Sequence, residues 1–228
     1  MKEKIILFTR VPKEGTTKTR LYDFMSPTEA VNIQKKLLKK NYELLADTNR
    51  ELLVFHDGNS SDDKEMAELI SCDKFYYQKG DNLGDKMYNA LEEVIWDSKV
   101  ILLGSDIFNL DKDIIEEAFE KLETHDVVIN PSEDGGYFLI GMKKAIKEVF
   151  DLPSYGDSSV LENLIKVLEK NNLTYYLGRA ALDIDIKEDL LYAETGYKNI
   201  KLLGAGEYNI NFTFRSEEHT SELQSPAM

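Results

Sequence analysis

A single cysteine, Cys72, in 228 residues excludes an intrachain disulfide and fits a reducing compartment. Histidine is nearly as scarce, at three residues, and none sits in a metal-ligand spacing. His56 and His125 each lie beside an aspartate, and no nucleophilic triad is visible. No apolar run approaches the length that spans a bilayer, and the run in MKEKIILFTR is too short for a signal-peptide core. Positive charge is also short: 28 Lys and Arg stand against 42 Asp and Glu, a formal net charge of -14. That balance argues against a nucleic-acid or membrane partner and leaves a small molecule as the expected ligand of a cytoplasmic protein. Neither an internal repeat nor a Pro-rich or Gly/Ser-rich linker occurs before residue 196.

What is present is an alternation of apolar runs with helix-period segments. KIILFT (4–9), ELLVFH (51–56), KFYYQ (74–78), VILLG (100–104), DVVIN (126–130), YFLIG (137–141) and LTYYLG (173–178) read as strands. Helices are expected from Pro27, at about 82–97, 111–123 and 157–171, and near 187–195, with Ser26 capping the first. No element is assigned between 56 and 74. Strands separated by helices imply crossovers, hence an α/β fold with a mainly parallel sheet covered on both faces. PSEDGG is too short for a crossover, so DVVIN and YFLIG are expected to form one antiparallel pair.

Four stretches carry chemistry. RVPKEGTTKTRL places Arg10, Lys13, Lys18 and Arg20 around Gly15, directly after the first strand. It is no Walker A motif, yet backbone amides and exposed cations there can receive an anion; a solvated loop is the plain reading. In VILLGSDIF, Asp106 follows a strand's C-terminal end, the edge at which open α/β sheets bind ligands. A carboxylate there can hold Mg²⁺ or Mn²⁺, or simply cap a turn. In LDIDIKEDL, Asp183 and Asp185 alternate with apolar residues, and Asp185 with Glu188 has the spacing of a capping box. Asp134-Gly135 marks a hairpin turn whose glycines allow close backbone approach to a ligand.

In their order, FTRVPKEGTTKTRL, QKGDNLGDKMYNAL, VILLGSDIFNL, DVVINPSEDGGYFLIGM and DIDIKEDL resemble the DUF2064 group of GT-A-fold transferases over about residues 1–195. The resemblance implies a three-layer α/β/α domain over 1–196 and a glycosyltransferase using a nucleotide-activated sugar. Its first alternative is a nucleotidyltransferase coupling an NTP to a phosphorylated small molecule, since related proteins make molybdopterin dinucleotides and activated phospholactate. A second alternative is a non-catalytic nucleotide-binding module of a fused protein. The implied catalytic residues are Asp106, Asp185 and Lys18, with Asp106 and Asp185 on Mg²⁺ or Mn²⁺. Arg10, Gly15, Lys18, Thr19, Arg20, Gly80, Leu83, Gly84 and Ser105 fall on the nucleotide side. Asp134, Gly135, Gly136, Tyr137 and Tyr155 fall near donor or acceptor. The chain departs from the family pattern at Phe108, Tyr155 and Lys187.

Two C-terminal expectations complete the reading. GAGEYNINFTF, within 197–214, resembles the start of the glycine-rich hairpin of aminoglycoside/choline-type phosphotransferases, implying a truncated fused domain. Residues 215–228 are polar and aperiodic, so disorder is expected, and they resemble a translated sequencing-adapter read-through.

Overall fold

The first apolar run forms β1 (Lys2–Thr9), which is buried on both sides: Ile5 and Leu7 enter one core cluster, Ile6 the other. That two-sided burial explains a continuous apolar run instead of an alternating one. The computed structural model describes residues 1–190. After β1 come α1 (Pro27–Ala46), β2 (Glu51–His56), α2 (Asp63–Ile70), β3 (Phe75–Tyr77), α3 (Leu83–Val94) and β4 (Ser98–Gly104). They are followed by α4 (Lys112–Lys121), β5 (Val127–Pro131), β6 (Tyr137–Met142), α5 (Val160–Lys170) and β7 (Tyr175–Leu177).

The strands form one seven-stranded sheet in the order β3-β2-β1-β4-β6-β5-β7. Helices α1, α2 and α4 supply Leu38, Leu45, Met66, Ile70, Ile115 and Phe119 to one face. Helices α3 and α5 supply Met87, Leu91, Leu164 and Leu168 to the other, completing three layers. The expected mainly parallel mixed sheet is therefore the observed one. Two details differ. Strand β6 is inserted between β4 and β5 and runs antiparallel to both, where a single antiparallel pair was expected. Helix α2 had no counterpart in the sequence reading. It has eight residues and buries only Met66 and Ile70, too short a stripe to show a period, yet the parallel pairing of β2 with β3 requires such a crossover.

The start of α1 follows its sequence signal: the Ser26 hydroxyl accepts from the Glu29 amide, and Glu29 reaches back to the Ser26 amide. The expected helix near 187–195 begins at residue 187, and its remainder, together with 197–214 and 215–228, lies outside the described residues. Among the described residues no helix is long and apolar enough to cross a membrane.

Chain order reverses between β1 and β4, the first strand leading leftward to β2 and the fourth lying on its other side. Ligands of open α/β sheets bind at the C-terminal ends of the strands at such a point. Helix α1 braces that point with two buried polar side chains. Gln34 donates to the Ser105 hydroxyl at 3.0 Å, and Asn41 donates to the carbonyls of Ser105 (3.0 Å) and Ile107 (2.9 Å). Asn41→Ala leaves both carbonyls unpaired and opens a void, so it is expected to cost about 2–4 kcal/mol, read as a lower urea midpoint at unchanged m-value.

Candidate functional site

The loop between β1 and α1 is shaped by its own side chains before any ligand arrives. The Thr17 hydroxyl accepts from the Lys13 amide (2.9 Å), the Thr17 amide returns to the Lys13 carbonyl (3.1 Å), and the Gly15 amide donates to the Tyr22 hydroxyl (2.8 Å). The Val11 amide donates to Asp57 (2.8 Å). These bonds occupy much of the amide nest expected from the sequence, so anion affinity there falls chiefly to side chains. Gly15 holds a positive φ of 83°, which suits glycine, and nothing crowds the space its missing side chain would fill.

The four cations of the loop separate. Arg10 is exposed at the end of β1 and forms no ion pair among the described residues. Lys13 pairs with Asp62 at 2.5 Å, which raises the lysine pKa and lowers that of the aspartate. Arg20 donates to Asp185 at 2.7 Å, both side chains being open to solvent. Lys18 was expected to be an exposed loop cation and is not: its side chain is 3% exposed. Its ammonium lies 3.3 Å from Asp106 and also donates to the Ile184 carbonyl. The burial follows from a left-handed backbone at Lys18 (φ 48°), which turns the side chain inward as the short helical turn Thr19–Leu21 begins.

The acidic partners come from three places. Asp106 leaves β4, and residues 106–108 pair with 182–184 through Phe108–Leu182 and Ile184–Asp106 backbone bonds and an antiparallel bridge between Ile107 and Asp183. This pairing brings Asp183 beside Asp106. Burial, then the charges of Asp106 and Asp134, push the Asp183 carboxyl up to about 7, opposed by a hydrogen bond from its own backbone amide. Asp134 sits on the β5–β6 turn, where it accepts from the Ser132 hydroxyl (2.5 Å) and the Gly136 amide (2.9 Å). The local capping partner of the final helix is Asp189, whose carboxylate accepts from the amides of Asp185 (2.9 Å) and Ile186 (2.8 Å); Glu188 does not fill the reciprocal role its spacing offered.

Lys18, Arg20, Asp106, Asp134 and Asp185 thus belong to one edge of the sheet. Ser105 lies just behind it, its buried hydroxyl 2.8 Å from that of Thr9 and facing Gln34. Thr19 is exposed beside Lys18. A second group forms at the start of α3. Gly80 has a φ of 142°, and a side chain there would strike the backbone of Lys86. Gly84 packs so closely on the Phe150 carbonyl and Tyr155 ring that any side chain would collide with them, while Leu83 is 44% exposed. Tyr155 donates to the Phe150 carbonyl (2.9 Å), and burial raises its phenol to about 12. Tyr137, also raised by burial and by Tyr155, touches Met87. Gly135 carries a φ of 93° against Ser158, and its carbonyl accepts from the Leu161 amide at the start of α5.

Sequence reasoning assigned no site role to Asp183, Gln34 or Asn41. The signal for Asn41 and Gln34 was present, two amides within the apolar stripe Ile33, Leu37, Leu38 and Leu45. Asp183 could be found only through its long-range pairing with Ile107. Among the described residues no group of three or more His, Cys, Asp or Glu side chains is arranged to hold a metal ion. Asp106 and the crowded Asp183 are nevertheless hard oxygen donors. Two carboxylates completed by phosphate oxygens and water are the usual Mg²⁺ environment, so these residues fit a divalent ion. Asp185 pairs with Arg20 as Asp106 pairs with Lys18, so each carboxylate faces a cation in the unliganded site.

The family model described as "Uncharacterized protein conserved in bacteria (DUF2064)" matches residues 38–157. Two curated 2-phospho-L-lactate guanylyltransferases are similar. That of Methanocaldococcus sp. (strain FS406-22) is 30% identical over 84% of each chain. That of Methanocaldococcus jannaschii is 31% identical over 83% of this chain and 81% of its own. A Desulfovibrio desulfuricans G20 protein provisionally assigned as a nucleotide-diphospho-sugar transferase superposes with a TM-score of 0.80 at 26% identity, covering 87% of this chain and 89% of its own. A Mycobacterium tuberculosis protein solved with manganese shares the fold at a TM-score of 0.52, with 11% identity over 85% of this chain and 98% of its own. The curated relatives carry nucleotidyl transfer in their names. They overturn the expectation of a glycosyltransferase and favour the nucleotidyltransferase alternative.

Two substitutions are expected to move stability in opposite directions. Lys18→Met keeps the aliphatic stem but strands the Ile184 carbonyl, costing about 2 kcal/mol. Asp183→Asn relieves like-charge crowding and raises the melting temperature by roughly 2–4 °C in metal-free buffer. Thermal unfolding of both variants, followed by circular dichroism, checks the pair.

Proposed function

The chain belongs to the DUF2064 family, and on that premise we propose that it is a nucleotidyltransferase, joining the nucleoside monophosphate of an NTP to a phosphorylated small molecule. The observation that carries this reading is the meeting of Lys18 and Arg20 with Asp106, Asp183 and Asp185 at the reversal point of the sheet. Cations suited to phosphates and carboxylates suited to a divalent ion there share one edge. The names of the curated relatives make GTP the nucleotide to test first.

In such a reaction an oxygen of the acceptor phosphate attacks the α-phosphorus, a new P–O bond forms, the bond to the β-phosphate breaks, and pyrophosphate leaves. The second ionisation of a phosphomonoester falls near pH 6 (pKa about 6), so the attacking oxygen is already unprotonated at neutral pH. No side-chain general base is required, in keeping with the lack of an obvious one in the sequence. Lys18 and Arg20 would take the phosphates by exchanging their present carboxylate partners, and Arg10 is placed to reach them unpaired. Offsetting the charge that builds on the departing pyrophosphate is the main electrostatic demand of the step. A divalent ion held by Asp106 and Asp183 would, when bound, polarise the phosphates and neutralise part of that charge. Gly80, Leu83 and Gly84 would line the nucleotide side, and Gly135, Tyr137 and Tyr155 the acceptor side.

The test is pyrophosphate release from GTP and the other NTPs with Mg²⁺ across a panel of phosphorylated hydroxy acids. Wild-type protein is expected to release pyrophosphate with at least one acceptor, and Asp106→Asn to lose about a hundredfold or more in rate while remaining folded. Sugar transfer with release of an NDP, or full activity of Asp106→Asn, would sink the reading.

A further inference from the structure

The loop carrying Lys18 is gripped at its opposite end by the segment that follows β2, which no part of the proposed chemistry uses. The Asp57 carboxylate accepts the Val11 amide at 2.8 Å, and Asp62 takes the Lys13 ammonium at 2.5 Å while its second oxygen accepts from the Asn59 amide at 3.0 Å. The two loops are in close contact. A side chain at Gly58 would come within 2.7 Å of the Val11 methyl and 2.3 Å of the Asp62 carboxylate.

The gripping segment is itself anchored in the protein interior. His56 is wholly buried, its Nδ1 accepts from the Gly58 amide (3.1 Å), and its proton therefore lies on Nε2, facing Asp63 at 3.0 Å. The other oxygen of Asp63 accepts from the Tyr77 hydroxyl at 2.8 Å, tying the segment to β3. Rings of Phe75 and Tyr77 pack edge-on against the imidazole. The chain of bonds thus runs Tyr77, Asp63, His56, Gly58, then across the loop contact to Val11 and Lys13.

We propose that residues 56–63 form a positioning clamp for nucleotide binding, in which Asp57 and Asp62 fix Val11 and Lys13 so that the loop presents Arg10, Lys18 and Arg20 at the correct spacing for a triphosphate. The clamp rests on the nucleotide reading of the site, and its residues touch the loop, not the substrate. Asp57 and Asp62 are positioning residues. A carboxylate near a phosphate site would ordinarily repel the ligand, so the sign of its effect on affinity separates a clamp from a competitor. A displacement of the order of 1 Å in positioning groups costs up to about a hundredfold.

The experiment is calorimetric titration of GTP with Mg²⁺ into wild-type protein, Asp57→Ala, Asp57→Asn and Asp62→Asn, with hydrogen exchange at the Val11 amide as a second readout. Asp57→Ala is expected to weaken GTP binding roughly tenfold and to speed Val11 exchange. Asp57→Asn restores most of the affinity, because an amide oxygen accepts the same bond. Asp62→Asn, which removes the charge facing Lys13 and leaves the Asn59 bond intact, is expected to weaken binding several-fold. Unchanged affinity in Asp57→Ala, failed rescue by Asp57→Asn, or tighter binding by Asp62→Asn overturns the clamp and leaves the nucleotide site standing. Absence of GTP binding by the wild type, with other NTPs also silent, overturns the nucleotide reading and the clamp with it.

Discussion

A buried ammonium group ties together the parts of this site. Lys18 is withdrawn from water between Asp106 and the Ile184 carbonyl, joining the first loop, the end of β4 and the segment that crosses above it. Burying an amine is costly unless it is paired and hydrogen-bonded, and these partners supply both. Beneath the tie, Leu21, Ile33, Leu37, Leu182, Ile184 and Leu190 form a small apolar cluster of their own. That cluster carries residues 182–185 to the site, and with them Asp183 and Asp185. Without it, the crowded Asp183 carboxyl would have no reason to stand beside Asp106.

The same arrangement explains how an acidic chain can offer an anion site. Lys13, Lys18 and Arg20 are each balanced by a carboxylate from a different segment: the loop after β2, the end of β4, and the strand-like run before the final helix. The Lys13–Asp62 pair holds the loop in shape, while the pairs of Lys18 and Arg20 are the ones a phosphate can replace. Because Lys18 and Arg20 face acids suited to a divalent ion, a metal–nucleotide complex can satisfy cations and carboxylates together. Coupling of this kind makes each ligand favour the other's binding.

The sequence made the sheet legible because its inner strands are buried on both faces and stand out as apolar runs. Ser26-Pro27 marked the start of α1 through local capping chemistry, and that too could be read. Helix α2 was hidden by its eight-residue length, and the double antiparallel contact of β6 depends on sheet order, which no local pattern encodes. At the site, Asp106 and Lys18-Thr19-Arg20 were visible as motifs. The burial of Lys18, the pairing of Asp185 with Arg20 and the crowding of Asp183 arise from contacts between residues more than 80 or 160 positions apart, or from the 107–183 bridge. Local pattern also could not tell sugar transfer from nucleotidyl transfer, since both ask for phosphate cations and a metal-binding edge. The names of the curated relatives favour the second.

The most direct measurement is a crystal structure of the protein with a non-hydrolysable GTP analogue and Mg²⁺. The expected result places the triphosphate at the ends of β1 and β4, with Lys18 and Arg20 turned from Asp106 and Asp185 onto phosphate oxygens and the α-phosphorus open toward Tyr137. A nucleotide bound elsewhere, or one bound there with the Lys18–Asp106 pair intact and no cationic side chain on its phosphates, would contradict the account.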